Sequence, residues 1–198
     1  MRRVILLLFL ALSLFGREIV YGVLERVKDG DTFLMRIGGE EVSIRLFGID
    51  TPEKFESSKL YRDVKGCGVG REAMKEAGKA ATNFAKSVMK VGEKYKVELM
   101  EGSSHGRLIG WVYLRNGTPY NVAVVKEGYA VVYSRYAKQD PRKYRQLMNA
   151  LRYAKTHRTG LWREYPRIME CMERHYTEGK RYSSKGYHSQ GLSLPRFW

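Results

Sequence analysis

Thr32-Phe33-Leu34-Met35-Arg36-Ile37-Gly38-Gly39-Glu40-Glu41-Val42-Ser43-Ile44-Arg45-Leu46-Phe47-Gly48-Ile49 is the stretch whose reading decides the fold. Thr32 to Ile37 reads as a strand, and Gly38-Gly39 is a tight hairpin signal, because glycine enters the backbone conformations of a short turn without penalty. Val42 to Ile49 alternates Val, Ile, Leu and Phe with polar residues, the period-two pattern of a strand with one buried face. Upstream, Ile19 to Val27 reads as another strand, and Asp29-Gly30-Asp31 as the turn that joins it to the hairpin. Three strands in meander order with short connections predict a curled antiparallel sheet.

Downstream, residues 52–70 are polar and glycine-rich and read as a loop. From Arg71 the period changes. Ala73, Ala77, Ala81, Phe84 and Val88 recur at helical spacing. Gly68-x-Gly70-x-x-Ala73 superficially resembles a dinucleotide fingerprint, but it follows a loop rather than a strand. Tyr95 to Leu99 and Leu108 to Leu114 read as two further strands. Asn121 is placed to cap a short helix that stops near Gly128, and Tyr144, Leu147, Met148, Leu151 and Ala154 mark a last helix ending before Gly160. Five strands, with one helix between the third and fourth and others after the fifth, predict an α+β protein: a five-stranded OB-fold β-barrel with about three helices. Residues 164–198 are rich in Tyr, Arg, Lys, Ser and Gly, with at most a short helix at 164–176. They read as a C-terminal extension outside the core, dispensable for most activity unless a disulfide ties it down.

With 198 residues the chain is long enough for one well-packed domain plus appendages, and its apolar and aromatic content excludes wholesale disorder. The formal charge of +15 favours a polyanionic partner, nucleic acid first and anionic membrane second. Arg2 and Arg3 precede an apolar run, Val4 to Phe15, that is short for a membrane span and suited to a secretory signal. Residues 1–16 are thus expected to be a signal peptide or an uncleaved anchor. Without its two arginines the charge is 15 − 2 = +13. Cys67 and Cys171 fit no zinc motif, and export permits either a disulfide between them or two free thiols.

Three patches carry chemistry: Asp29-Gly30-Asp31-Thr32, then Arg45-Leu46-Phe47-Gly48-Ile49-Asp50-Thr51-Pro52-Glu53, then Gly106-Arg107. Acids at strand ends offer oxygen ligands to a hard cation. Arginines grip phosphate through two hydrogen bonds at once. A carboxylate beside a metal orients or deprotonates water. Together these are the parts for phosphodiester hydrolysis. Each alone is an ordinary turn, cap or surface residue, so the weight lies on order and spacing.

That order resembles the staphylococcal nuclease (thermonuclease) family over residues 19–163. Asp-Gly-Asp-Thr is followed, after a short hairpin, by Arg-Leu-x-Gly-Ile-Asp-Thr-Pro-Glu. Gly70-x-Glu72-Ala73, Gly106-Arg107, Asn121 to Tyr129 and Gly160-Leu161-Trp162 extend the match. The resemblance implies a nuclease domain at 17–163. It gives Asp31, Asp50 and the Thr51 carbonyl to the metal, usually calcium, and makes Glu53 the general base or water-orienting acid. Arg45 and Arg107 become the pair that holds the phosphate; as strand-end arginines on a polar face they are expected to add little to stability. Asp29 becomes a turn or supporting residue. The implied partner is DNA and/or RNA, single strands preferred, acted on by a monomer. Two departures bear on substrate preference. Family members often carry a tyrosine where His105 stands in Ser103-Ser104-His105-Gly106-Arg107, and the loop after Glu53 is long, with Lys54, Lys59, Arg62 and Lys65 along it. The competing reading is a catalytically silent OB-fold module that binds single strands through basic grooves and aromatic platforms. Retention of all five polar side chains argues against it, since such a module has no need of acids beside the phosphate.

Overall fold

The computed structural model describes residues 17–182; the expected signal at 1–16 lies outside them, as do Tyr187 and Trp198 of the tail. Five strands close the expected barrel: β1 (Ile19–Asp29), β2 (Thr32–Ile37), β3 (Glu40–Leu46), β5 (Lys94–Ser104) and β6 (Arg107–Tyr113). Their order around it is β1-β2-β3-β6-β5, with β1 pairing β5 to seal the ring. A two-residue strand β4 (Ile49–Asp50) pairs outside the barrel with β7 (Val131–Val132). All contacts around the ring are antiparallel except one. Strand β3 runs parallel to β6, with Arg45 beside Ile109. This contact joins the first three strands to the last two, and it decides where the arginines meet.

Alternation puts Leu24, Phe33, Met35, Ile44, Val97 and Val112 inside, each fully buried. The long helix expected from Arg71 is present and packs against β1, with Met74, Ala77, Ala81 and Ala85 buried. The loop expected at 52–70 is not all loop. It contains a helix, α1 (Ser58–Cys67), capped by the Ser57 hydroxyl, which accepts from the Leu60 N–H at 3.0 Å. Long polar side chains with few β-branched residues favour this helix, while its single short apolar stripe, Leu60 and Val64, gave little periodicity to read. The long helix is accordingly α2 (Arg71–Val88). Beyond β6 come α3 (Tyr120–Lys126), α4 (Ser134–Ala137), α5 (Pro141–His157), α6 (Leu161–Glu164) and α7 (Pro166–Met172), then a π-helical turn, Glu173–Thr177.

Asn121 is not a helix cap. It lies inside α3, fully buried, where its Oδ1 accepts from the Val112 N–H at 3.1 Å and its Nδ2 donates to the Phe47 carbonyl at 3.0 Å. It stitches α3 to β6 and to the segment after β3, answering main-chain groups that would otherwise be buried unpaired. A charged anchor holds α5 to the barrel wall. Lys143 donates to both oxygens of Glu98 at 2.9 Å, and Arg17 joins Glu98 at 3.0 Å. Burial alone would raise the Glu98 carboxyl, but the hydrogen bonds from Lys143 and Arg17 outweigh it and hold the group below its ordinary value.

The segment after Trp162 departs from expectation most. Its described part is not an appendage outside the core. Ile168, Met169, Met172 and Tyr176 are buried within the same hydrophobic cluster as the barrel residues. Cys171 is bonded to Cys67, which resolves the open alternative and ties α7 to the end of α1. Two tyrosines of this segment are also engaged with the domain. Tyr176 is buried, and Tyr182 stacks on His175 with centroids 3.8 Å apart and donates to Asp63 at 2.8 Å. Truncation at residue 163 would therefore strip apolar cover from the core. Replacing Cys171 by Ser should cost about 2–5 kcal/mol, the usual loss when a small domain is deprived of a native disulfide closing a long loop. Chemical denaturation with and without reductant checks this; equal midpoints for wild type and C171S under oxidising conditions would contradict it.

Candidate active site

The turn at residues 29–31 is built to present Asp31. The Asp29 side chain accepts from the Asp31 N–H at 3.1 Å, and the buried Tyr120 hydroxyl donates to the Gly30 carbonyl at 2.9 Å. Glycine is required at position 30 by close approach: a β-carbon there would stand 2.8 Å from the Thr51 methyl and 3.0 Å from Ala81. Thr51 thus packs onto the turn and uses it. Its N–H and hydroxyl donate to Asp31 Oδ2 at 2.9 and 3.0 Å. The other Asp31 oxygen accepts from Thr32 at 3.1 Å and from Arg45 in a close ion pair. That pair follows from the register, since Thr32 lies directly opposite Arg45 across the β2–β3 ladder.

Arg45 turns its second nitrogen to Asp50, 2.6 Å away, and to the Ile49 carbonyl at 3.3 Å. It therefore bridges two carboxylates that are each about 1–2% exposed. This overturns the expectation that Arg45 adds little to stability, because buried acids left without a cation are costly. Arg107 is held differently. Its Nε donates to the Ser104 carbonyl at 2.9 Å and one terminal nitrogen to the Ser104 hydroxyl at 3.1 Å, contacts within its own turn. Arg107 lies two residues before Ile109, the neighbour of Arg45, so the two arginines share one face of adjacent strands. Burial, then the positive charge of Arg45, lowers the Arg107 guanidinium below its ordinary value.

Both arginines line a cleft of about 420 Å³ together with Asp50, Glu53, Lys59, Arg62, His105, Tyr133 and Tyr136. His105 is thus at the cleft, in a left-handed turn conformation (φ 51°) that the tight β5–β6 connection imposes. Glu53 reaches the cleft because the chain beyond Pro52 lies against α2 at Gly78. A β-carbon on Gly78 would come within 2.6–2.7 Å of the Glu53 carbonyl and the Lys54 nitrogen. Burial pushes the Glu53 carboxyl above its ordinary value; Lys59 pulls the other way and Asp50 adds to the rise. A carboxylate so raised is a stronger base toward water.

For a metal, Asp31, Asp50 and the Thr51 carbonyl offer oxygen donors only, the chemistry of a hard cation such as calcium. Asp50 Oδ2 is fully buried and, among the described residues, its charge is answered not by an aligned hydrogen bond but by the Lys59 ammonium 3.0 Å away, so it is an oxygen that already draws a cation. Among the described residues no three His, Cys, Asp or Glu side chains form a ready cage, so a bound ion would need main-chain and water oxygens as well. The donor set fits such an ion.

The profile of the family described as Staphylococcal nuclease homologue matches residues 43–164. The chain belongs to that family. Among individual members, it is 31% identical over 154 residues to Endonuclease YhcR of Bacillus subtilis, an alignment covering 75% of this chain and 12% of that protein. It is 32% identical over 155 residues to the uncharacterized protein MJ1439 of Methanocaldococcus jannaschii, covering 73% and 72% of the two chains. With the Thermonuclease of Staphylococcus intermedius it shares 31% identity over 111 residues, 54% and 56% of the two chains. The match ends just before α7, so the buried segment that carries Cys171 and Tyr176 lies beyond the family profile.

The structure thus brings Arg45, Asp50, Glu53 and Arg107 to one cleft, with Asp31 and Thr51 directly behind. Sequence reasoning missed Gly78, whose only signal is a glycine among alanines in a helix, and it read Lys59 merely as one of several loop cations. Arg107→Lys should lower turnover by at least roughly 100-fold, the scale for losing a preorganised donor, with an unchanged melting temperature. Arg45→Lys should lower turnover similarly but also destabilise by about 1–3 kcal/mol, because one lysine cannot serve two buried carboxylates. Single-turnover cleavage and melting curves check both; a folded R107K protein with the wild-type rate would remove Arg107 from the catalytic set.

Proposed function

We propose that this protein is a metal-dependent endonuclease that hydrolyses phosphodiester bonds of DNA and/or RNA with little sequence specificity, calcium being the favoured ion. The observation that carries the reading is the meeting of Arg45 and Arg107 on neighbouring parallel strands, facing Glu53 across one cleft. The arginines bind the phosphate and answer the charge that builds on its oxygens. Glu53, with its raised carboxyl, takes a proton from the attacking water and orients it. Asp31, Asp50 and the Thr51 carbonyl would hold the divalent ion, which when bound supplies Lewis-acid polarisation of the phosphate. Arg62, His105 and the paired rings of Tyr133 and Tyr136, 4.8 Å apart, give the cleft a basic and aromatic wall that suits a splayed single strand better than a duplex. The charge of +15 supports a polyanionic substrate, gathered with steep salt dependence. Action as an exported monomer, secreted, periplasmic or retained by an uncleaved N-terminal anchor, completes the proposal.

The direct test incubates purified protein with single-stranded DNA, with calcium and with excess chelator. Cleavage with calcium and its loss on chelation is the expected result. Cleavage that survives complete chelation would defeat the metal requirement, and tight binding without cleavage would make the protein a silent binding module.

A further inference from the structure

Lys59 stands on the first turn of α1, and its side chain reaches back into the acid cluster. Its ammonium nitrogen lies 3.0 Å from Asp50 Oδ2, 3.3 Å from Glu53 Oε1 and 3.4 Å from the Thr51 carbonyl oxygen. Two of these atoms are oxygens assigned above to the divalent ion. An ion such as calcium must approach each within about 2.3–2.6 Å. An ammonium and a divalent cation cannot both sit that close to the same two oxygens: their centres would lie within a few ångströms of each other, and like charges so close repel strongly.

Lys59 also has a second place to go. Asp63, one helical turn further on and fully buried, lies 2.9 Å from the same nitrogen, and the ring of Tyr176 stands 5.2 Å from it. Asp63 is held in place from the C-terminal side: the hydroxyls of Tyr176 and Tyr182 each donate to it at 2.8 Å. The Cys67–Cys171 bond clamps α1 to the segment that carries these tyrosines. The anchor for a withdrawn lysine is thus built before any ion arrives.

We propose that Lys59 is a tethered rival cation for the oxygens of the metal seat, so that entry of a divalent ion requires its ammonium to withdraw toward Asp63 and Tyr176. The proposal rests on the metal-dependent reading above. It makes α1 and the C-terminal segment a device that sets metal affinity. The ion must displace a resident positive charge, and its net gain is smaller by that much.

Calcium titration calorimetry on the full chain tests this with wild type, Lys59→Met and Lys59→Arg. The methionine variant keeps the apolar stem and removes the charge, and it should bind calcium about tenfold more tightly or better. The arginine variant keeps the charge and should stay within about threefold of wild type. Equal or weaker binding by a folded K59M protein would overturn the proposal and leave the metal-dependent reading standing. Failure of every form to bind calcium would overturn both. A calcium-soaked crystal of wild type gives a check that needs no variant: Lys59 should have left the Thr51 carbonyl while keeping Asp63, and an ammonium still seated on Asp50 beside the bound ion would refute the withdrawal.

Discussion

Two carboxylates, Asp31 and Asp50, lie almost wholly out of water, and each must meet positive charge or N–H groups for the fold to persist. Arg45 sits between them and answers both. Nearly everything near the cleft follows from that requirement. The β2–β3 register places Thr32 opposite Arg45 and so sets Asp31 beside it. The small volume of Gly30 lets Thr51 close over the remaining Asp31 oxygen. The parallel contact of β3 with β6 then brings Arg107 onto the same face. Stability and chemistry share these residues. The same arginine that lines the cleft pairs with both buried acids, and a buried charge left unpaired costs several kcal/mol. That double role explains why the two arginines differ in their surroundings: Arg45 is a structural hub that also faces the cleft, whereas Arg107 is held only by its own turn.

The second level of organisation lies beside the cleft. Helix α1, the disulfide and α7 form a buttress on one side of the cleft, with Asp63 at its centre. Asp63 accepts from two tyrosine hydroxyls and pairs with Lys59, so a fully buried acid is satisfied by its own helix and by the C-terminal segment. The family profile covers α1 but stops at residue 164, before the half of the buttress that carries Cys171, Tyr176 and Tyr182.

The barrel was legible in the sequence because period-two alternation and the Gly38-Gly39 turn are local signals, and so was α2, whose alanines recur at helical spacing. Order and spacing also singled out Arg45, Asp50, Glu53 and Arg107, which line one cleft. What escaped depends on contacts between distant segments. Helix α1 has too short an apolar stripe to betray its period. Asn121 resembles a cap until β6 and the segment after β3 close around it. The stretch Pro166–Tyr176 looks polar as a run, yet Ile168, Met169, Met172 and Tyr176 are buried once α7 docks. Lys59 could be placed among the acids only with the turn from Thr51 to Ser57 in hand, since no pattern in the sequence says which of four nearby cations folds back.

The central claim is that water is activated at Glu53 while the arginine pair holds the phosphate. Glutamine keeps the size and shape of Glu53, whose side chain is about one-fifth exposed at the cleft, so this replacement should leave the fold intact. The most direct measurement is the single-turnover cleavage rate of a single-stranded oligonucleotide by purified Glu53→Gln, alongside its affinity for the same strand. The account predicts a rate lower by roughly 100-fold or more, the scale of a lost general base, with binding and melting temperature near wild type. A folded E53Q protein that cleaves at the wild-type rate would contradict it.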